Sequence, residues 1–305
     1  MSDRIFVPPL KIQGIKTKLV PLIRKNAALV KGALWFEPFM GSGVVGFNME
    51  PQRAVFADIN PHIINFYNAV KLGGITAAAA RVFLEEQGHL LAVKDDEYYY
   101  QVRERFNKTH EPLDFLFLNR ACFNGMIRFN KGCNFNVPYG HKPQRFTNAY
   151  ITKIVNQVRH VEECLRRYDW TFVCQPFETT ISMAEADSFI YCDPPYIGRH
   201  VDYYDTWDEG LEKRLCQSLQ ASKANFMLST WDHNQYRRNE YIDKIWGFCH
   251  KLNQDHFYHV GAREINRAPM VEALLMNYKP HEVKQHPAEL TLFPEEPEIL
   301  SLYSS

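Results

Sequence analysis

The residues with the clearest chemical potential follow a short apolar run at positions 188–192. The run is rich in aromatic and branched side chains and is bounded by prolines, a pattern that predicts a buried strand. Asp193, Pro194, Pro195 and Tyr196 come directly after it. Because prolines fix φ and lack an N–H, their carbonyls are held on a rigid loop. A carboxylate, a fixed carbonyl and an aromatic ring suit a planar ligand that carries an amino group, so these four residues are the candidate catalytic residues.

A second stretch with chemical potential begins at an apolar run that leads into Glu37, Pro38 and Phe39 and then into a glycine-rich segment at 41–46. Another apolar run, 53–57, ends at Asp58. A strand, a glycine turn, a helix, a strand and an acid form the βαβ pattern of nucleotide-binding proteins. Glycines let the backbone approach a ligand, and the acid can accept hydrogen bonds from ribose hydroxyls.

The spacing of Gly41, Gly43 and Gly46 also fits the GxGxxG pattern of dinucleotide-binding enzymes, so an NAD-binding oxidoreductase is an alternative. Glu37 does not belong to that pattern. A carboxylate beside the glycine loop suits a ligand without phosphates, because it would repel a pyrophosphate.

The composition is that of a globular protein: 305 residues, 46% hydrophobic and 23% charged, enough for one large domain or two. No apolar run is long enough to span a bilayer and no signal peptide is evident. The seven cysteines lack a CxxC pair and the twelve histidines lack HExxH spacing. We therefore expect reduced thiols, a cytoplasmic location and no metal site.

The net charge is zero, but the basic residues are unevenly distributed. Residues 115–161 contain no Asp or Glu, and the first 31 residues contain only Asp3. The segment 115–161 nevertheless holds Arg120, Arg128, Lys131, Lys142, Arg145, Lys153 and Arg159. Such asymmetry indicates either a phosphate-facing surface or a solvated basic face.

The remaining pattern predicts an α/β fold. Helices are expected over 61–117 and 152–167, a hairpin with loops over 119–140, and strands at 171–174, 225–231, 256–261 and 272–278. Asp208 is the expected cap of a further helix. From residue 279 onward Pro and Glu dominate, which predicts a peripheral or disordered tail.

With these stretches in this order, the chain resembles the Dam-like, alpha-group (D12 class) adenine-N6 DNA methyltransferases. The resemblance spans roughly residues 7–280, and its most specific parts are 37–43, 123–128, 135–140 and 193–196. It implies a Rossmann-like S-adenosylmethionine-dependent methyltransferase sheet with an inserted helical and hairpin target-recognition domain. The implied boundaries are 1–64 and 168–280 for the catalytic domain, 65–167 for the target-recognition domain and 281–305 for the tail.

Within this group the chain is most similar to modification methyltransferases of the EcoRV type. The similarity rests on residues 7–9, 13–19, 197–203, 256–267 and 270–274. It implies methylation of a flipped-out adenine in GATATC, a separate cognate endonuclease in a restriction system, and a monomer. The wider group implies a GATC-like target and an orphan enzyme instead.

The resemblance also implies roles for individual residues. Lys16 would contact the cofactor from the amino-terminal motif, Asp58 would bind its ribose, and Phe177 and Glu178 would border its adenine. At positions 12 and 15 this chain has Ile where Dam-type members have Trp and Gly, which leaves only a backbone contact at Ile12. The implied cofactor set is Ile12, Gly14, Lys16, Glu37, Phe39, Gly41, Gly43, Asp58, Phe177, Glu178 and Asp193.

For duplex DNA, the resemblance makes Phe123 a wedge in the base stack and Asn124 the residue that faces the vacated partner base. Lys11 would contact a guanine, and Met126, Arg128 and Pro138 match positions that contact bases. A non-catalytic DNA-binding module and a methyltransferase for RNA or protein amines are further alternatives. Of all these functions, only DNA methylation uses every unusual stretch of the chain.

Overall fold

In the computed structural model, which describes residues 4–197, 207–256 and 270–280, seven strands form one mixed sheet. The spatial order is β3-β2-β1-β4-β5-β7-β6. Strand β7 runs antiparallel to both of its neighbours, β5 and β6, and the other neighbouring pairs are parallel. The sheet confirms the predicted α/β, Rossmann-like class. The strands are β1 (Leu34–Glu37), β2 (Arg53–Asp58), β3 (Asp169–Cys174), β4 (Phe189–Cys192), β5 (Asn225–Asn234), β6 (His250–His256) and β7 (Met270–Met276).

The strand order reverses between β1 and β4, which are parallel neighbours paired at Trp35 with Phe189 and at Phe36 with Ile190. From β1 the chain continues to β2 and β3 on one side, whereas β4 leads to β5 on the other. Ligands of open α/β sheets bind in the crevice outside the carboxyl ends of strands at such a switch point. The loop after β1 and the loop after β4 therefore meet at the edge where a ligand is expected.

The helices surround this sheet. The prediction of helices between β2 and the hairpin is confirmed, and Asp208 caps its helix as expected, since its Oδ1 accepts from Leu211 N at 2.9 Å. The helices are α1 (Val20–Asn26), α2 (Val44–Met49), α3 (Pro61–Lys71), α4 (Ala77–Thr109), α5 (Pro112–Ala121), α6 (Asn148–Arg167), α7 (Phe177–Ser182), α8 (Glu209–Ala221) and α9 (Glu240–Ile245).

Side chains of the central strands are buried on both faces of the sheet. Trp35 of β1 belongs to one hydrophobic cluster and its neighbour Phe36 to the other. Burial on both faces explains why these strands are continuous apolar runs rather than alternating ones. The cluster that holds Trp35 also contains core residues of α3 to α6, so the inserted helices continue the core of the sheet. The boundaries of a target-recognition domain stay a prediction.

Three elements differ from the sequence prediction. Strand β6 at His250–His256 was not predicted, because it is a polar edge strand without the apolar pattern of a buried strand. Residues 257–261 of the strand expected at 256–261 lie outside the described residues. Helices α7 and α9 were not predicted, because six residues are too few to establish a helical period. Residues 198–206 and 257–269 and the tail at 281–305 also lie outside the described residues.

Within the described ranges, no helix combines the length and the apolar character needed to cross a membrane.

Candidate active site

Asp193 follows β4 directly, at the carboxyl edge of the sheet. Its side chain is 24% exposed, and its Oδ1 lies 3.0 Å from Lys16 Nζ and accepts from Ser229 Oγ at 2.8 Å. Burial raises the pKa of Asp193, whereas the Lys16 ammonium and the Ser229 hydroxyl act in the opposite direction. The carboxylate is thus held in a fixed position by two donors from other parts of the chain.

Tyr196 is buried three residues further on, and its ring packs against Trp231 of β5. Its hydroxyl donates to Glu272 Oε1 at 3.2 Å, and Lys16 Nζ lies 4.9 Å from the centre of its ring. Between Tyr196 and Asp193, Pro194 is buried and Pro195 partly buried. The loop therefore brings a carboxylate and a ring together around a single nitrogen donor, the ammonium of Lys16.

The glycine loop after β1 is tied to the end of β2. Gly41 N donates to Asp58 Oδ2 and Asn60 N donates to Asp58 Oδ1, both at 2.9 Å. Gly43 has a φ of 75°, and a Cβ there would lie 2.7 Å from the Phe47 ring, so only glycine fits. Burial raises the pKa of Asp58 to about 6, although both backbone hydrogen bonds lower it. Asp58 holds the loop and lies at the tip of its strand.

Glu37, the last residue of β1, turns its carboxyl group inward and is 2% exposed. Trp35 Nε1 donates to Glu37 Oε2 at 3.0 Å, and a Cβ built on Gly46 would come within 2.6 Å of that same oxygen. Burial raises the pKa of Glu37 to about 8. Burial therefore favours the uncharged form of this carboxyl group at neutral pH.

An aromatic shelf lies beside the glycine loop. The rings of Phe39 and Phe177 stack with centroids 5.4 Å apart, and Trp207 contacts Phe39 edge-on at 5.5 Å. Glu178, next to Phe177, is ion-paired with Arg214. These rings can contact a flat base, while the carboxylate of Asp58 remains close to the loop.

The amino-terminal motif lies across the same loop. Ile12 Cδ1 is 3.4 Å from the Cβ position of Gly41, and the carbonyl of Gly14 accepts from Lys16 Nζ at 2.7 Å. All residues of the expected cofactor set therefore gather at one edge of the sheet. Glycine backbone, carboxylates and aromatic rings, without a basic group on the glycine loop, fit a nucleoside ligand that lacks phosphates.

The segment 122–139 pairs as an irregular hairpin, as predicted, through isolated bridges between Cys122 and Tyr139 and between Phe129 and Phe135. Phe123 lies at the base of the hairpin, where its N–H donates to Pro138 O at 2.9 Å, and the residue is 50% exposed. Asn124 is exposed and adopts a left-handed backbone with a φ of 53°. Met126 is only partly exposed and packs against the main core.

Arg128 and Lys11 are both held by asparagines. Arg128 Nε donates to Asn136 Oδ1 at 2.8 Å. The backbone N–H of Lys11 donates to Asn119 Oδ1 at 2.7 Å, and Asn119 Nδ2 donates to the carbonyls of Lys11 at 2.9 Å and Gly125 at 3.3 Å. Burial, together with nearby arginines, lowers the pKa of Lys11 to about 8. Asn119 thus joins the amino-terminal motif to the hairpin.

Two basic residues of the acid-free segment donate to backbone carbonyls of the protein, so they fit neither of the two alternatives given for this segment, a phosphate-facing surface or a solvated basic face. Arg120 is 7% exposed and donates to the carbonyl of Pro9 and to Gln157 Oε1. Arg145 donates to the carbonyls of Arg120 and Cys122. Both satisfy buried carbonyls, a demand that charge counting along a sequence does not register. Lys131, Lys142, Lys153 and Arg159 remain exposed.

Among the residues that the structure describes, one cluster of possible metal ligands lies near the amino end of β2, away from the carboxyl ends of the strands. The ligand atoms of Glu50, His160 and Cys164 are within 4.8 Å of one another. Glu50 precedes β2, so the cluster is separate from the crevice that contains Asp193. All seven cysteines are free thiols.

Comparison with known proteins agrees with this geometry. Residues 13–260 match the model of the D12 class N6 adenine-specific DNA methyltransferases. A DNA adenine methylase from Salmonella typhi is 35% identical over 238 residues, which cover 73% of this chain and 80% of the relative. One from Haemophilus influenzae is 35% identical over 196 residues, 62% of this chain and 63%, less than two thirds, of the relative.

Among solved structures, the rRNA methyltransferase aviRa from Streptomyces viridochromogenes aligns over 85% of this chain and 82% of its own, with 11% identity and a TM-score of 0.35. The family model covers most of the chain, and the residues it matches include the glycine loop, the hairpin and the loop after β4. The chain therefore belongs to the D12 class N6 adenine-specific DNA methyltransferase family.

Proposed function

We propose that this protein transfers a methyl group from S-adenosylmethionine to N6 of a flipped-out adenine in duplex DNA. One observation carries the proposal: the Asp193 carboxylate and the Tyr196 ring converge on a single nitrogen donor beside the glycine loop. Family membership implies S-adenosylmethionine as methyl donor, and the glycine loop with Asp58 fits a nucleoside ligand. A methyltransferase for RNA or protein amines would also use the glycine loop and the loop after β4, so the choice of DNA rests on the hairpin at 122–139 and on the family.

The chemistry assigned to the chain is mainly positioning. The adenine N6 lone pair is delocalised into the ring and is a poor nucleophile. Two acceptors, the Asp193 carboxylate and the Pro194 carbonyl, would each accept a hydrogen bond from one of the two N6 hydrogens. These two hydrogen bonds favour a tetrahedral nitrogen. When bound, S-adenosylmethionine supplies an electrophilic methyl group. The products would be S-adenosylhomocysteine and a methylated N6 that loses one proton after the transfer. Asp193 stabilises the positive charge that develops on N6, so it need not act as a strong base.

The target base has to leave the duplex, which costs a few kcal/mol. Stacking on Tyr196 would offset about 1–3 kcal/mol of that cost. Phe123 is the residue proposed to wedge into the gap, a role that requires a ring accessible to DNA, and half of its surface is exposed. Asn124, Met126, Arg128, Pro138 and Lys11 are proposed to contact bases nearby.

We further propose GATATC as the target, with a GATC-like site as the alternative. The GATATC proposal rests on the EcoRV-type resemblance, part of which falls in residues 198–206 and 257–269, outside the described ranges. The relatives, in contrast, are named DNA adenine methylases. We also propose that the protein is a monomer and acts in the cytoplasm. A cognate restriction endonuclease would be a separate protein. Sequencing modified bases in DNA from an expressing host distinguishes the two targets.

Calorimetry with the purified protein tests the cofactor assignment. S-adenosylmethionine should bind and NAD should not, because the glycine loop carries no basic group to pair with a pyrophosphate. Transfer of radiolabelled methyl to duplex DNA, followed by nucleoside analysis, should give N6-methyladenine. Binding of NAD, or label in RNA or protein but not in DNA, would contradict the proposal.

Arg128→Ala should lower affinity for the target by about 1–3 kcal/mol and relax recognition at one base pair, as expected for a bidentate contact to a guanine. The measurement is binding to a set of duplexes that differ from the target at one position each. Lys131→Ala, at the exposed tip of the same hairpin, is the matched control. It should lower the affinity for all duplexes equally and reduce the salt dependence of binding. Uniform loss with Arg128→Ala would make Arg128 a phosphate contact.

A further inference from the structure

Glu272 is a buried carboxylate to which the sequence assigned no role. It lies on β7 with 0% exposure, and its Oε1 accepts a hydrogen bond from the Tyr196 hydroxyl at 3.2 Å. The same oxygen is 4.0 Å from Lys16 Nζ. Glu272 therefore contacts the ring proposed to stack on the target base and also faces the ammonium paired with Asp193.

The Lys16 ammonium lies between two carboxylates. Its Nζ is 3.0 Å from Asp193 Oδ1 and 4.0 Å from Glu272 Oε1. Lys16 is 3% exposed, and a charge so far from water requires anionic or carbonyl partners. The ammonium pairs with Asp193 and lies over the Tyr196 ring, the two groups that the proposed mechanism assigns to the adenine amine and the adenine ring.

The ammonium and the adenine amine cannot occupy the same position. An amine that donates to Asp193 Oδ1, from a ring that stacks on the face of Tyr196 covered by Lys16, displaces Lys16 Nζ from this oxygen. The other carboxylate facing Nζ is that of Glu272, and a shift of about 1 Å would bring the pair from 4.0 Å to the length of a charge-assisted hydrogen bond. Such a shift keeps the ammonium paired without exposing it to water.

We propose that Glu272 is a positioning residue that receives the Lys16 ammonium when the target amine takes its place on Asp193. Its hydrogen bond to Tyr196 holds the ring in place during this exchange. Lys16 consequently neutralises Asp193 in the DNA-free protein and Glu272 in the complex. The inference rests on the proposed adenine methylation and adds the exchange of partners that base entry requires.

Four variants separate these contributions, and the first, Lys16→Gln, removes the ammonium and keeps the charge of Glu272. Glu272→Gln keeps the size of the side chain and an oxygen that can accept from Tyr196, but removes the charge. Tyr196→Phe removes the hydroxyl and keeps the charge. The double variant Lys16→Gln/Glu272→Gln removes both charges together. Each variant is compared with the wild type in binding to two duplexes that contain the target sequence. One duplex has adenine at the target position, and the other has purine, which lacks the 6-amino group.

The wild type should prefer the adenine duplex. In E272Q this preference should fall about 10- to 100-fold, the loss expected for an interaction with a charged group, and the KM for DNA should rise more than kcat falls. K16Q/E272Q should show the same preference as K16Q alone. Y196F should bind both duplexes more weakly and to the same extent, because the ring is less well held but Lys16 can still transfer to Glu272.

An E272Q protein that binds both duplexes as the wild type does, or weakens both equally, would overturn the inference. If E272Q does not fold, K16Q carries the test: its preference for adenine over purine should increase, and an unchanged preference would refute the exchange. Absence of methyl transfer to DNA adenine by the wild type would instead contradict the proposed function, so the two failures are distinguishable.

Discussion

Asp193→Ala is expected to abolish methyl transfer while leaving the protein folded and able to bind S-adenosylmethionine and DNA. The carboxylate is the charged acceptor on the loop after β4, and it is already fixed by Ser229 and Lys16. Removing one preorganised electrostatic group from an active site costs about 10²–10³ in kcat. Here the same group also accepts an N6 hydrogen, so the loss should exceed that range. The measurement is single-turnover methyl transfer to target DNA.

Asp193→Asn separates charge from shape and should retain weak activity, since an amide oxygen can still accept one hydrogen bond. Asp187→Ala is the matched control, because Asp187 is an exposed carboxylate just before β4 and should not affect turnover. Lys16 remains near Glu272 in the Ala variant, at 4.0 Å, which limits the loss of stability. Substantial turnover by Asp193→Ala would exclude Asp193 as the acceptor.

The strand tips of this site could be predicted from the sequence because the signals are local. An apolar run that ends in a breaker marks where a strand stops, and the rule for switch points in open α/β sheets states which strand ends meet. Asp58 and Asp193 were located in this way, and the structure brings both to the carboxyl edge of the sheet. The glycine loop followed from the same reasoning.

The partners of these residues could not be predicted, because they depend on contacts between distant segments. Ser229 and Glu272 lie on β5 and β7 and reach the site only through the order of strands in the sheet. The relevant signal is a polar side chain within an otherwise buried strand, and Glu272 in its apolar run is such a case. Arg120 shows the opposite error, since its charge indicated the surface while its hydrogen bonds lie inside.

The other large effect concerns Glu37, whose replacement by Gln should stabilise the protein. Burial raises the pKa of Glu37 to about 8, from the ordinary value of 4.5. The unfolded chain releases this proton above pH 4.5, whereas the folded protein retains it up to pH 8. The contribution of Glu37 to the free energy of unfolding is therefore largest below pH 4.5 and falls as the pH rises towards 8.

Gln reproduces the uncharged carboxyl group and does not titrate, so the variant escapes this loss. The free energy of unfolding of E37Q should exceed that of the wild type by an amount on the order of 1–3 kcal/mol at pH 7, and the difference should vanish near pH 4.5. Urea denaturation across this pH range measures it. Glu85→Gln, on the solvent-exposed side of α4, should follow the wild-type pH profile.

The E37Q variant should also bind S-adenosylmethionine about tenfold more weakly than the wild type, as expected for loss of one carboxylate near a cationic ligand. The cationic cofactor favours the ionised form of Glu37, so binding to the wild type should release a proton near pH 7, and calorimetry in buffers of different ionisation enthalpy detects that release. A gain in stability together with weaker binding would mean that Glu37 is kept for the cofactor at the expense of the fold. A gain in stability without weaker binding would remove Glu37 from the cofactor site.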